Sequence, residues 1–125
     1  MENRKEINSF FDLEVWQLAH KLVLDVYKAV ENFPKKEEYR LISQLLRAVV
    51  SIPTNIAEGK GRNTLKDYIH FLIIARGSLE ETKYLLYLSK DLNYINIDFY
   101  ENLNSQSNLI GKKLNALIGS LTPKN

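Results

Sequence analysis

An all-α chain, folded as an up-down-up-down antiparallel four-helix bundle, is what the sequence predicts, and three observations predict it. Apolar residues recur at steps of three and four through four long segments. The breaks between those segments are short and carry turn and cap residues: Phe33-Pro34, Gly59 to Thr64, and Leu92 to Asn96. With 45% hydrophobic and 26% charged residues, five glycines and three prolines in 125 residues, the composition suits neither a disordered chain nor a turn-rich β fold. A single domain over residues 1–125 is expected, long enough to bury about two-thirds of its unfolded surface.

The first helix is expected over about residues 12–30, with Asp12 as N-cap, because a carboxylate there accepts from the unpaired amides of the first turn. Leu13, Trp16, His20, Val23, Tyr27 and Val30 follow the seam spacing of packed helices. Val15, Leu18, Leu22, Val26 and Ala29 form a second apolar stripe. One bundle core needs one face, so Val15, Leu18, Leu22 and Val26 are the candidate subunit contacts; an enlarged core within one subunit is the alternative.

A second helix is expected over about 37–58, with Leu41, Leu45, Val49, Ile52 and Ile56 on one side. Pro53 has no amide to give the carbonyl of Val49, which predicts a kink with a hydroxyl or amide side chain near the opened carbonyl. Gly59 suits the left-handed position that ends a helix. Thr64 and Asp67 resemble a capping box with a shortened acid, opening a third helix over about 65–92 whose apolar positions include Leu65, Tyr68, Leu72, Ile73, Leu79 and Leu86. Gly77 inside it costs about 1 kcal/mol of helix propensity, which close contact with a neighbouring helix would offset. The fourth helix, about 97–121, has Phe99, Leu103, Ile110, Leu114, Leu117 and Leu121 as its seam and is otherwise rich in Asn and Ser.

Several functions are excluded or left without support. The chain has no cysteine, hence no disulfide scaffold, thiolate metal site or cysteine nucleophile, which is compatible with a reducing cytoplasm. The N-terminal stretch MENRKEINSFFDLE lacks the apolar core of a signal peptide, and no apolar run reaches the roughly 18 residues of a membrane span. A soluble cytoplasmic protein with no membrane partner is expected. The two histidines, His20 on the first helix seam and His70 near Asp67, lack a second ligand at metal-binding spacing. His20 is expected to be a hydrogen-bonded core or interface residue and His70 a surface one. No catalytic residue, metal or cofactor is indicated, so the protein is not expected to be an enzyme.

The net charge is only +2, but residues 35–66 hold seven basic and three acidic side chains, and residues 102–125 hold three basic and none acidic. Gly59-Lys60-Gly61-Arg62 lacks the order of a nucleotide-binding P-loop. Lys60, Arg62 and Lys66 at one end of the second helix, with Lys35, Lys36 and Arg40 at the other, are placed to meet phosphates of RNA or DNA without base specificity. An ordinary solvated turn is the plain alternative. Along the same helix Arg40, Gln44, Arg47, Ser51, Asn55 and Glu58 form one polar stripe. Arg47, Ser51, Asn55 and Glu58 are expected to bond across to the third helix, with Glu81 as the partner of Arg47, and so to fix the register of the bundle or ring. A pore or ligand site, or direct nucleic-acid contact, are the other readings of that stripe.

FxDLxVWQxA (Phe10 to Ala19), the Phe33-Pro34 turn, QLLRAVVSIPTNIAEGKGR (Gln44 to Arg62), FLIIARGSLEE (Phe71 to Glu81) and LNYI (Leu92 to Ile95) resemble, in order and spacing, a bacterial family. It is the four-helix bundle family encoded within intervening sequences of 23S ribosomal RNA genes, once called S23 ribosomal proteins. The resemblance covers nearly the whole chain and implies a bundle that assembles into a ring, a homopentamer. That family is similar in turn to accessory proteins of diversity-generating retroelements, basic pentameric bundles that associate with a reverse transcriptase and bind nucleic acid. Neither group brings catalytic residues. The combined expectation is a homo-oligomer that binds RNA or DNA through repeated basic patches, as an adaptor for a nucleic-acid-processing protein; a protein-interaction scaffold with no nucleic-acid role is the second reading.

Overall fold

The computed structural model describes residues 9–124; the stretch 1–8, which carries most of the segment read as free of a signal sequence, lies outside them. Among the described residues there are four long helices and no strand: α1 Glu14–Val30, α2 Ser43–Lys60, α3 Leu65–Asp91 and α4 Ile97–Leu121. Each packs on the next, and α4 closes back onto α1, with α2 against α3 the most extensive pairing. The short connections oblige neighbours in the bundle to run antiparallel. None of these helices is long and apolar enough to cross a membrane.

The entry to α1 corrects the expected cap. Phe10–Asp12 form a 3-10 turn, and Leu13, not Asp12, precedes the helix, without a side-chain cap. The turn is held instead by Gln17, whose Nε2 donates to the Phe11 carbonyl at 2.8 Å. Phe10 and Phe11 also set their ring centroids 5.0 and 5.3 Å from that of Trp16.

The core face of α1 is centred on the second apolar stripe rather than on the expected seam, of which Leu13 and Val23 are buried while His20 and Tyr27 are not. Val15, Ala19, Leu22, Val26 and Ala29 face the core at no more than 4% exposure, while Tyr27 is 47% exposed and His20 lies at the surface, stacked on Trp16. Spacing alone fits both stripes, but only one is wholly apolar; the other carries an imidazole and a phenol that would need partners if buried. Ala19 and Ala29 also admit a closer neighbour than Trp16 or Tyr27 would. Val15, Leu22 and Val26 are therefore core residues of the subunit rather than subunit contacts, and Leu18 packs half-buried against the same core.

That core joins Leu22 and Val26 to Leu45, Val49, Ile52 and Ile56 of α2, Leu72, Leu79 and Leu86 of α3, and Leu103, Ile110 and Leu114 of α4, all below 2% exposure. Each such side chain contributes about 1.5–3 kcal/mol on burial. Thr82, Ser89 and Ser107 are buried with them, and each hydroxyl donates to the carbonyl four residues earlier at 2.9, 2.7 and 2.8 Å. Small hydroxyl residues thus let helices approach without leaving a polar atom unpaired. At the surface, partly sheltered Asp25 ties α1 to α4. Its partial burial opposes ionisation, but hydrogen bonds from Lys21 and Gln106 and the charges of Lys21 and Lys28 outweigh that and hold its carboxyl below the usual range.

Within α2 the side-chain donors near Pro53 go to neighbouring carbonyls rather than to that of Val49. Thr54 Oγ1 donates to Val50 O at 2.7 Å and Asn55 Nδ2 to Ser51 O at 2.8 Å. Gly59 does not adopt a left-handed conformation; it lies inside α2, which runs to Lys60. A Cβ there would sit 2.9 Å from Phe71 Cβ and 3.1 Å from Tyr68 Cδ1. Its role is close approach of α3, the role expected of Gly77. Gly77 itself has no described atom within 4 Å of where its Cβ would lie. Thr64 does cap α3, accepting from the Asp67 amide at 3.1 Å, and Asn96 caps α4, accepting from that of Phe99 at 2.7 Å.

Because the neighbour of Gly59 is a Cβ and not a flexible side-chain end, Gly59→Ala is expected to destabilise the fold by about 1–3 kcal/mol. Urea unfolding followed by circular dichroism reads this as a lowered midpoint with an unchanged slope.

Candidate nucleic-acid interface

Seven cations carry the basic character of the chain's middle; Arg47 lies on α2 itself, and the other six fall into two clusters toward its ends. Lys35, Lys36 and Arg40 lie exposed before and at its start; Arg62 and Lys66 lie exposed just beyond its end, with Lys60 half-buried. At about 1.5 Å per residue the two clusters stand roughly 30 Å apart.

The first cluster is mounted on a rigid support. Phe33 is buried with its ring centroid 5.2 Å from that of Tyr94, and the Pro34 carbonyl accepts from the Glu37 amide at 2.9 Å. Glu37 is the only charged residue buried among those described. Its Oε1 accepts from the Leu41 amide at 3.4 Å and its Oε2 from the Tyr94 hydroxyl at 2.8 Å. Tyr94 is aimed there by the end of α3. Asn93 takes a left-handed φ of 65°, its amide donates to Lys90 O and that of Tyr94 to Ser89 O, both at 2.9 Å. This is the paired closure of a Schellman motif, with asparagine where glycine is usual. The Phe33-Pro34 and LNYI segments, far apart in sequence, thus form one clamp around Glu37.

Beyond the clamp, Glu38–Ile42 make one π-helical turn that carries Tyr39, 87% exposed, and Arg40 outward. From it an open groove of about 670 Å³ runs between α2 and α3. Arg40, Gln44, Arg47 and Ser51 line one wall, Ser78 and Glu81 the other, with Tyr39 at the rim. Ser51 Oγ and Ser78 Oγ bond at 2.8 Å, Asn55 Nδ2 donates to Ser51 Oγ at 2.9 Å, and Gln44 Nε2 donates to Glu81 Oε2 at 3.4 Å.

The polar stripe therefore divides. Ser51 joins α2 to α3 as expected, whereas Asn55 donates within α2, to Ser51, and the partner of Glu81 is Gln44 rather than Arg47, which is exposed along the groove. Glu58 leaves the stripe altogether: its Oε2 lies 2.9 Å from Arg62 Nη2, one turn on. Arg62 also sets its guanidinium carbon 4.6 Å from the centroid of the Phe71 ring. Its charge is shared within the subunit, which weakens it as a phosphate contact, whereas no ion pair among the described residues involves Lys60 or Lys66. Tyr39, Ser43 and Ser78 were not singled out as site residues from the sequence. The run KKEEYR held a signal for Tyr39, an aromatic ring among charges on a helix start, where no core could take it.

The profile of the family described as 23S rRNA-intervening sequence protein matches residues 11–116. The chain belongs to that family. Six chains of solved structure match it. One is a protein of unknown function from the S23 ribosomal protein family of Bacteroides thetaiotaomicron, whose crystal structure is similar at a TM-score of 0.75 with 31% identity, covering 83% of this chain and 97% of that one. No curated protein matches. In this family member the shared motifs are largely structural: the Phe10 to Ala19 stretch builds the aromatic turn, and the Phe33-Pro34 and LNYI stretches build the clamp.

The hydrogen bond to the Glu37 carboxylate, with some burial and the carboxylate's charge, holds the Tyr94 phenol above the usual 10.0. The folded state then favours the neutral phenol, so this contribution is complete below pH 10 and is lost as pH rises through the raised value. Tyr94→Phe is expected to lower the urea midpoint at neutral pH, by leaving Glu37 short of a donor, and to remove part of the stability loss on going above pH 10. A pH series of unfolding curves checks both.

Proposed function

We propose that this chain is a non-enzymatic, ring-forming homo-oligomer, a homopentamer by its resemblance, that binds RNA or DNA backbone in the cytoplasm as an adaptor for a nucleic-acid-processing protein. The observation that carries the nucleic-acid part is the exposure of Lys35, Lys36, Arg40 and Arg47 at one end of α2, on a support fixed by the Glu37 clamp. Set against these four cations, Glu37, Glu38 and Glu81 leave the local balance at one positive charge. One such corner binds a polyanion weakly, but counterion release scales with the number of phosphates neutralised, and a ring repeats the corner in every subunit.

Ring assembly is supported by a pair of unlike apolar surfaces. A ring needs heterologous contacts, hence two different patches on each subunit. One is the groove of about 580 Å³ between α1 and α2, lined by Phe10, Trp16, Val23, Val50, Pro53 and Ala57. The other is the outer face of α3, where Ile73 (43% exposed), Gly77, Tyr84 (60%) and Tyr87 (48%) share one stripe, interrupted by the charged Glu80. The bare Gly77 in that stripe leaves room for a close helix. The second reading, a protein-interaction scaffold without nucleic acid, is favoured by the internal pairing of Arg62 with Glu58.

Static light scattering is expected to return several times 14.5 kDa, and Ile73→Glu with Tyr84→Glu to bring it down to 14.5 kDa. A single-subunit mass for the parent chain overturns the ring. For nucleic acid, a labelled RNA titrated at several salt concentrations is expected to show falling affinity. Replacing Lys35, Lys36 and Arg40 by Glu is expected to flatten the log–log slope by roughly 0.7–0.9 for each phosphate no longer neutralised. Absent or salt-insensitive binding would leave the scaffold reading.

A further inference from the structure

The groove between α2 and α3 is unlike a surface that only attracts phosphate. It has a cationic wall, Arg40 and Arg47, and opposite it a carboxylate, Glu81, that repels phosphate. Glu81 accepts one long bond, 3.4 Å from Gln44, which leaves it acceptor capacity for N–H donors. Ser51 and Ser78 add hydroxyls that both donate and accept. At the rim stands Tyr39, the most exposed large hydrophobic residue among those described, at 87%. Its backbone lies in a π-helical turn, a feature that often marks functional sites.

Resting on the nucleic-acid reading above, we infer that this groove takes a single strand, RNA or DNA, with one base stacked on Tyr39, the backbone along Arg40 and Arg47, and a neighbouring base edge turned to Glu81 and the serines. A duplex meets these groups badly. Its bases are stacked inward and offer no face to Tyr39, and their Watson–Crick N–H donors are already engaged. The surface a duplex does present is phosphate, which Glu81 repels. A single strand offers what the groove lacks: a π face, N–H donors and a separate line of negative charge. The groove volume, about 670 Å³, lies within the roughly 300–1,000 Å³ of small-ligand sites and so has room for nucleotide-sized groups. Stacking and charge together are the usual means of holding single strands without strict sequence choice.

The test uses the full-length protein, an unstructured labelled strand of about 12 nucleotides as RNA and as DNA, and the duplexes made by annealing their complements. The single strands are expected to bind at least tenfold more tightly than the duplexes at equal salt. Tyr39→Ala is expected to weaken single-strand binding about tenfold and leave duplex binding unchanged, while Tyr39→Phe retains the affinity. Because Tyr39 is almost wholly solvent-exposed, both variants are expected to keep the parent's helicity and unfolding midpoint, measured alongside. Equal affinity for strand and duplex, or an unchanged Tyr39→Ala, overturns this inference and leaves backbone binding standing. No binding of either form at low salt overturns the nucleic-acid reading itself. A fall in oligomer mass for Tyr39→Ala places a second copy of the chain in the groove and likewise overturns the inference.

Discussion

Where Gly59 passes Phe71, one added carbon would lie 2.9 Å from a neighbouring Cβ, so α3 packs there against bare backbone of α2 with no room for a side chain between them. That approach, continued by the Ser51–Ser78 hydroxyl pair, fixes the register of the most extensive helix pairing in the molecule. Further along, the helices part enough to leave the polar groove, and α2 is left free on its other side to form the apolar groove with α1. Both candidate surfaces therefore border α2, the polar one toward α3 and the apolar one toward α1.

The sequence made the elements legible and their orientations less so. Thr64 was readable as a cap because a hydroxyl three residues before a helical acid satisfies a local hydrogen bond, and nothing distant competes. The faces of α1 were misread because Leu13, Trp16, His20, Val23, Tyr27 and Val30 match the seam rhythm as well as the true core stripe does. What separates the stripes is the cost of burying an imidazole and a phenol, an energetic criterion that spacing does not contain. The role expected of Gly77 falls to Gly59 for a related reason. A glycine's need is set by whatever passes it in space, and neither Gly59 nor Gly77 announces its neighbour locally.

Long-range polar pairing was the least legible part. Glu37 and Tyr94 lie 57 residues apart, and their bond depends on the left-handed turn at Asn93 pointing the phenol across the bundle end. Read singly, Phe33-Pro34 is a turn and LNYI another turn; only folded do they enclose a carboxylate and become a platform for Tyr39 and Arg40. The candidate site depends on that platform, so the exposed cations were visible from composition while Tyr39 and the groove were not.

The π-helical turn at Glu38–Ile42 also bears on how this surface can vary. A π turn holds roughly one more residue than the α turn it replaces. Losing one residue there would rewind the stretch as ordinary helix with nearly the same total rotation, so the Lys35–Glu37 turn would keep its bearing on α2. Downstream, the packed register of α2 would stay as it is. One residue gained or lost in this short stretch would thus change which side chains the outward-facing turn presents, while the segments on either side keep their places.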